Sequence, residues 1–237
     1  MIMISASDTP SLPLSHPSLA ALRHRNFRLI WIGLLLSFTG SFMQTAALLW
    51  HVSLLVPPDS KGLALGAVGL VRVVPIVFFS MLSGVVADAW DRRRLMLMTQ
   101  TGSALLAIAL AVLSFRGLHV VWPLYVLAAL TSSVSAFDLP ARQSLVPSLV
   151  PRADLPSAIS LNTIMQQTAQ VLGPALAGLV IAWGGVGWVY ATNAVSFLAV
   201  IAALLLMRNV RTRAEPSETT SEVSMKAAME EIGRAHV

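Results

Sequence analysis

The amino-acid sequence predicts an all-α membrane protein with six transmembrane helices. Of its 237 residues, 56% are apolar and 11% are charged, against roughly 45–50% and about 25% in an ordinary soluble domain. One crossing of a bilayer needs about 20 predominantly apolar residues, and the sequence contains six such runs, separated by charged or turn-forming segments. This composition excludes a disordered chain and a water-soluble enzyme.

Charges and prolines bound the first four runs. Between Arg28 and Asp59 lie 30 residues without Lys, Arg, Asp or Glu, and the second run carries one charge, Arg72. The third run ends at Arg116, and the fourth begins near Pro123, which suits the first turn of a helix. Prolines at positions 140, 147 and 151 cannot share one regular span, so residues 138–153 are predicted as an inner connection.

The last apolar stretch is long enough for two crossings. Residues 155–207 carry no charge over 53 positions, and Gly184, Gly185 and Gly187 near their middle predict a tight turn between two helices. The predicted spans are residues 29–54, 63–87, 95–115, 122–137, 155–183 and 188–207.

The segments flanking this bundle are polar. Residues 1–22 are predicted as a flexible cytoplasmic leader, residues 23–210 as the six-helix bundle and residues 211–237 as a cytoplasmic linker. The last seven residues back-translate to a sequence that looks like a common sequencing adapter, so we expect the end of the chain to be non-native.

The basic residues predict the orientation, because cytoplasmic loops are enriched in Lys and Arg. With a cytoplasmic N-terminus, Lys61 and Arg116 fall outside, Arg72 lies within the membrane, and thirteen basic residues fall inside. We therefore expect a multi-pass protein of the cell (inner) membrane with both termini in the cytoplasm. The inner residues are Arg23, Arg25, Arg28, Arg92, Arg93, Arg94, Arg142, Arg152, Arg208, Arg211, Arg213, Lys226 and Arg234.

Uncharged polar residues recur on one face of two spans. Polar groups in a bilayer are costly unless they face a partner or water, and residues four apart share a helix face. The pattern predicts a polar cavity where the two spans meet, and the alternative is that the amides only tie helices together. The residues are Asn162, Gln166 and Gln170 on span five and Ser37, Ser41, Gln44 and His51 on span one.

Three ionisable residues in or near the spans are candidates for a functional role. Arg72 has a functional role if it attracts an anionic solute or shifts the pKa of a neighbouring carboxylate. It has a structural role if it snorkels outward or bonds carbonyls freed by Pro75. His51 near the outer end of span one either titrates or is simply packed. If transport is coupled to protons, the titrating group is Asp138, His51 or a group outside this chain.

Other chemistries find no support in the sequence. It has no cysteine, no pair of histidines at metal-binding spacing and no Gly-rich phosphate loop with a lysine. The basic residues lie between apolar runs instead of forming a nucleic-acid-binding surface. We therefore expect no enzyme activity, no cofactor, no metal and no nucleic-acid partner.

The junction between spans two and three resembles a loop signature of the major facilitator superfamily, G-x-x-x-D-R-x-G-R-R. Positions 89 and 91 depart from that pattern, and the change at position 91 is familiar in one exporter branch. The matching residues are Gly84, Asp88, Arg92 and Arg93.

Further segments extend the resemblance over about residues 22–210. Gly173, Pro174 and Gly178 match an element of span five found in the superfamily's antiporters. Segments 43–45, 69–75, 138–143 and 193–197 are similar to the enterobactin-exporter-like branch, also called transmembrane secretion effectors.

The resemblance implies that the chain is the N-terminal half of a twelve-helix fold, built from two inverted three-helix repeats. It further implies a proton-coupled exporter of a small organic compound, siderophore-like or drug-like, that works by alternating access. The rival interpretation is a non-transporting membrane scaffold, or a six-span subunit that is complete only as a dimer.

On this interpretation, three sets of residues have expected roles. Gln44, Asn162, Gln166 and Gln170 would line the substrate cavity. Asp88 with Arg92 and Arg93 would form a cytoplasmic latch that differs in energy between two states. Gly173, Pro174 and Gly178 would let span five bend or pack closely.

Overall fold

The structure is a computed structural model that describes residues 19–207. The first 18 residues of the predicted leader and everything from residue 208 onward, including the predicted linker and the suspected non-native end, lie outside the described residues. Six long helices fill the described part, and all six are long and apolar enough to cross a membrane. They are α1 (Arg25–Leu55), α2 (Lys61–Ala89), α3 (Arg92–Phe115), α4 (Trp122–Leu145), α5 (Leu155–Gly184) and α6 (Val186–Leu206). The predicted all-α membrane fold is confirmed.

The fourth helix is longer than its predicted span. α4 continues to Leu145, through Pro140, into the segment that the sequence analysis treats as a connection. Asp138 and Arg142, four residues apart, form an ion pair on this extension. The sequence predicts both residues in a loop, but they are buried in the helix. Short 3-10 turns over Val146–Leu149 and Arg152–Asp154 then lead into α5.

The packing of the helices has an internal symmetry. α1 packs on α5 and α6, α4 packs on α2 and α3, and α3 packs on α6. These five most extensive contacts are unchanged as a set when α1 is exchanged with α4, α2 with α5 and α3 with α6. Among the described residues, the smaller contacts of α1 with α2 and of α5 with α6 lack counterparts of similar extent. Because consecutive helices run in opposite directions, the exchange relates two inverted three-helix repeats, which is the architecture of many secondary transporters.

Two apolar cores lie at opposite ends of the bundle. Phe27 and Leu204 belong to the core near the start of α1, and Val52 and Leu124 belong to the core near its end. The outer surface is also apolar, with Leu63 81% exposed and many other large side chains uncovered. An apolar exterior of this kind suits lipid or another apolar partner, and the chain is a multi-pass membrane protein.

Candidate functional site

A polar cavity of about 290 Å³ lies in the middle of the bundle. Five helices contribute to its wall, and no described residue of α5 does. Its central position agrees with the midplane sites of transporters built from inverted repeats. The polar residues in its wall are Ser41, Gln44, Thr45, Arg72, Gln100, Ser103, Thr131, Ser135, Asp138, Arg142 and Asn193.

Asp138 is the centre of a buried hydrogen-bond network in this wall. One carboxylate oxygen, Oδ1, accepts from Thr99 Oγ1 at 2.7 Å and from Gln100 Nε2 at 2.9 Å. The other, Oδ2, pairs with Nη2 of Arg142. The Arg142 guanidinium also lies over the ring of Phe38, 4.3 Å from its centre. The carboxylate therefore joins α3 to α4, and both of its oxygens are engaged.

Part of this network remains unpaired. Among the described atoms, Nη1 of Arg142 and Oε1 of Gln100 are buried without a hydrogen-bond partner. A buried polar atom without a partner costs about 1–3 kcal/mol. Both residues line the cavity, but these two atoms are themselves covered by neighbouring groups.

A second polar contact links α1 to α6. Asn193 Nδ2 donates to Gln44 Oε1 at 2.8 Å, and both side chains are buried. The hydroxyl of Ser196 lies 3.0 Å from Asn193 Oδ1. Gly40 makes room for the arrangement, because a Cβ there would lie 2.5 Å from both Asn193 Oδ1 and Ser196 Oγ. With its oxygen engaged, Gln44 has its Nε2 group left to donate.

Arg72 enters the cavity from α2 and is half-buried. It forms no hydrogen bond or ion pair with any residue that the structure describes, including the carbonyls near Pro75. A charge within a membrane span costs at least about 2.5–3.5 kcal/mol unless it is compensated. Of the roles left open by the sequence, bonding to carbonyls freed by Pro75 is not observed among the described residues, and Arg72 forms part of the cavity wall.

The predicted amides of α5 lie elsewhere. Asn162 and Gln166 line a second cavity of about 170 Å³ between α4 and α5, which also reaches Arg142. Gln170 is exposed and lines neither of these two cavities. Of the four amides singled out in the sequence, Gln44 thus lies in the larger cavity and two others in the smaller one.

His51 is separate from both cavities. It is buried in the apolar core near the end of α1, where its Nδ1 lies 3.3 Å from the hydroxyl oxygen of Tyr190. Tyr190 is itself fully buried. The contact is a local hydrogen bond between α1 and α6 and does not face the solute-sized space.

The arginines after α2 bind the ends of other helices. Arg92 Nη1 donates to the carbonyl of Ser144 at 3.2 Å, at the end of α4, and Arg93 Nη2 donates to the carbonyl of Leu205 at 3.4 Å, at the end of α6. Cations at helix C-termini satisfy orphan carbonyls and interact favourably with the helix dipole. Arg25, at the start of α1, also donates to a carbonyl at the end of α6. The starts of α1 and α3 and the ends of α4 and α6 therefore lie at the same end of the bundle.

The other positions of the loop signature at the α2–α3 junction make no comparable contact with the ends of other helices in the described part of the structure. No described atom lies within 4 Å of the position that a Cβ of Gly84 would take. The side chain of Asp88 lies outside the described part of the structure. Asp91 caps α3 by accepting from the backbone N–H of Arg94 at 2.9 Å.

The glycines of the span-five motif have different surroundings. A Cβ on Gly173 would collide with Cβ of Phe42 and lie 3.1 Å from the backbone nitrogen of Met43, so α1 and α5 cross here in close contact. Nothing described lies within 4 Å of the corresponding position at Gly178. Pro174 is exposed within the helix.

Sequence reasoning missed several residues of the larger cavity. Thr99 and Gln100 bind Asp138 from α3, and Asn193 binds Gln44 from α6. A signal existed for each, because a threonine, a glutamine or an asparagine within an apolar span is itself unusual. They do not form an amide stripe, because no other asparagine or glutamine lies three or four positions away on the same helix.

The fold and the polar cavity define the class of protein: the chain is a six-helix half of a major facilitator transporter fold. The model of the transmembrane secretion effector family matches residues 16–231. The chain belongs to that family, which confirms the resemblance seen in the sequence.

Its relatives are transporters. The chain is 28% identical over 165 residues to the uncharacterised MFS-type transporter YfiS of Bacillus subtilis, a match that covers 68% of this chain and 38% of the relative. It is 28% identical over 173 residues to the staphyloferrin A transporter of Staphylococcus aureus, covering 72% and 43%. It is 24% identical over 179 residues to macrolide efflux protein A of Streptococcus pyogenes, covering 76% and 42%.

The matched segment spans about two fifths of each of these relatives. No solved structure gives a significant match. The expectation that the chain is not an enzyme is confirmed by its family and relatives.

Proposed function

We propose that this chain is half of a secondary active exporter that moves a small organic compound out of the cell by alternating access, in exchange for protons. The observation that carries the proposal is the central cavity, where guanidinium, amide and hydroxyl groups from five membrane-spanning helices converge. Polar groups are costly in a bilayer and mark solute paths by default. In a scaffold without a transport role, an unfilled polar space between the helices would lower stability without any compensating function.

Asp138 is the coupling residue in this proposal. It is the one carboxylate among the described residues that line the cavity, and its partner Arg142 lies one helical turn away. Protonation of Asp138 would weaken its ion pair with Arg142 and free the guanidinium. The proton would then favour one of the two states of alternating access over the other. His51 is less suited, because it lies in an apolar core away from both cavities.

The second half of the transporter is a further six-helix bundle, supplied by the same polypeptide or by another chain. The length of the relatives supports this part of the proposal, as do the exposed apolar faces of α2 and α5. The end that carries Arg25, Arg92 and Arg93 faces the cytoplasm, in keeping with the enrichment of basic residues on that side. Reading the gene beyond codon 231 tests the single-polypeptide version, which expects six more spans.

Asp88 with Arg92 and Arg93 forms the cytoplasmic latch in this proposal. The two arginines already bind the ends of α4 and α6, and a carboxylate four residues before Arg92 in the sequence would alter how strongly they hold those ends. The latch stabilises one of the two states and is released in the other.

The test is proton-driven uptake into inside-out vesicles that contain the complete gene product. Staphyloferrin A and a radiolabelled macrolide serve as solutes, and the lumen is acidified. We expect uptake of at least one solute, loss of proton-driven uptake with Asp138→Asn, and retained solute exchange at equal pH, because the amide keeps the shape but cannot titrate.

Two further variants complete this assay. Asp88→Asn should lower uptake while membrane insertion stays intact, and Asp59→Asn, at an exposed position outside the cavity, should behave as wild type. Wild-type proton-driven uptake by Asp138→Asn would remove Asp138 from the coupling role. Wild-type uptake by Asp88→Asn would reject the latch.

A further inference from the structure

We propose that the larger cavity selects organic anions, with the unpaired guanidinium of Arg72 as the fixed positive charge that recognises them. This inference rests on the proposed transport function and names the chemical class of its solute. It follows from which groups in the cavity wall are already engaged and which remain available.

The negative charge in the wall is engaged. Asp138 accepts three hydrogen bonds, from Thr99, Gln100 and Arg142, which occupy both of its oxygens. The carboxylate thus offers little to a cationic solute, and Arg142 balances its charge. A cation entering the cavity would have to compete with a buried ion pair.

The positive charge is available. Arg72 lines the same cavity and has no partner among the described residues. With Asp138 and Arg142 cancelling each other, the described wall has a net charge of about one positive unit. In a low-dielectric space this charge attracts anions over a distance of several ångströms, and a guanidinium can bind a carboxylate through two parallel hydrogen bonds.

The uncharged groups are compatible with an anion as well. The oxygen of Gln44 is held by Asn193 at 2.8 Å, so its amide Nε2 remains as a donor. The hydroxyls of Thr45, Thr131 and Ser135 donate to carbonyls of their own helices, and their lone pairs can accept from hydroxyl groups of the solute.

The test measures binding of two dyes that share a tricyclic core but differ in charge, carboxyfluorescein as the anion and a rhodamine methyl ester as the cation. Fluorescence anisotropy with the purified complete protein should give at least about tenfold tighter binding of the anion. Arg72→Gln should weaken anion binding about tenfold and leave the cation's affinity unchanged, because it removes one close charge interaction. Arg72→Lys should keep most of the preference.

A charge-reversing variant provides a second test. Gln44→Glu places an unpaired carboxylate in the same wall, and we expect it to shift the preference toward the cation. Gln167→Glu, at an exposed position that lines neither cavity, should leave the ratio of the two affinities within about twofold of wild type. Size-exclusion profiles show whether each variant remains folded.

Three results would overturn the inference: tighter binding of the cation by wild type, binding of neither dye, or an anion affinity unaffected by Arg72→Gln. The last result is expected if a carboxylate from the other half of the transporter neutralises Arg72. The vesicle assay separates these outcomes from failure of the transport proposal. Macrolide uptake without anion preference leaves the transporter standing, whereas anion binding without any uptake overturns transport alone.

Discussion

Helices α2 and α5 occupy corresponding places in the two repeats, yet they differ in chemistry and in how closely their glycines approach the neighbouring helix. α2 packs on α4 and sends Arg72 into the larger cavity, whereas α5 packs on α1 and sends Asn162 and Gln166 into the smaller one. The backbone symmetry therefore does not extend to the side chains.

The difference shows how a symmetric fold can produce one charged site. α5 is pressed against the backbone of α1 at Gly173, while the glycines of α2 at positions 62, 66 and 69 have no described atom within 4 Å of their Cβ positions. The close approach on α5 is confined to Gly173, because Gly178 on the same helix also has no described atom within 4 Å of its Cβ position. Both helices otherwise pack on their main neighbour to a similar extent.

The largest expected effect comes from adding one carbon atom at Gly173. Gly173→Ala should lower the free energy of unfolding by about 1–3 kcal/mol, because the new Cβ meets Phe42 and the backbone of Met43 with no room to relax. The measurement is the thermal unfolding midpoint in detergent, followed by tryptophan fluorescence.

Matched controls lie on both helices. Gly178→Ala and Gly69→Ala should raise stability by about 0.5–1 kcal/mol, since alanine is the better helix former and nothing described blocks its Cβ. Equal destabilisation at all three positions would contradict the contrast between the close crossing at Gly173 and the open surroundings of Gly178 and Gly69.

A smaller effect should separate the two cavities. Gln44→Ala removes a donor from the larger cavity and leaves Asn193 Nδ2 without its acceptor, so we expect the KM for vesicle uptake to rise about tenfold, the upper range for one hydrogen bond. Gln166→Ala, in the smaller cavity, should change KM by about twofold or less. A larger effect at Gln166 would make the α5 side the main binding surface.

The fold was predictable because each span is a run of about 20 residues with almost no charge, which is the length that one bilayer crossing needs. The end of α4 was not predictable in this way, because two charges and a proline within five residues, at positions 138, 140 and 142, are typical of a loop. Their charges are tolerated in a helix because Asp138 is satisfied by α3 and Arg142 lies over Phe38 of α1. Those partners are 38 or more residues away in sequence, and no local pattern identifies them.

The site was predictable only in part for a related reason. Gln44 and Arg72 are unusual for their spans, and the sequence singles them out. Which amides share a cavity depends on how the helices are rotated and which neighbours they meet, and this separates Gln44 from Gln166. The unusual polarity of a residue shows that it needs a partner, but only packing shows which partner it has.

The smallest expected effect concerns the junctions that follow α2 and α5. At the α2–α3 junction, Asp91 caps α3 through the N–H of Arg94, whereas the α5–α6 junction has no side-chain cap and turns on Gly185 at φ +87°. Asp91→Ala should therefore cost about 1 kcal/mol in unfolding free energy. Asp91→Asn should cost only a few tenths, because asparagine caps as well as aspartate does. If the two variants lose equal stability, the charge of Asp91 near the helix dipole matters more than its hydrogen bond. The two junctions would then differ in electrostatics more than in geometry.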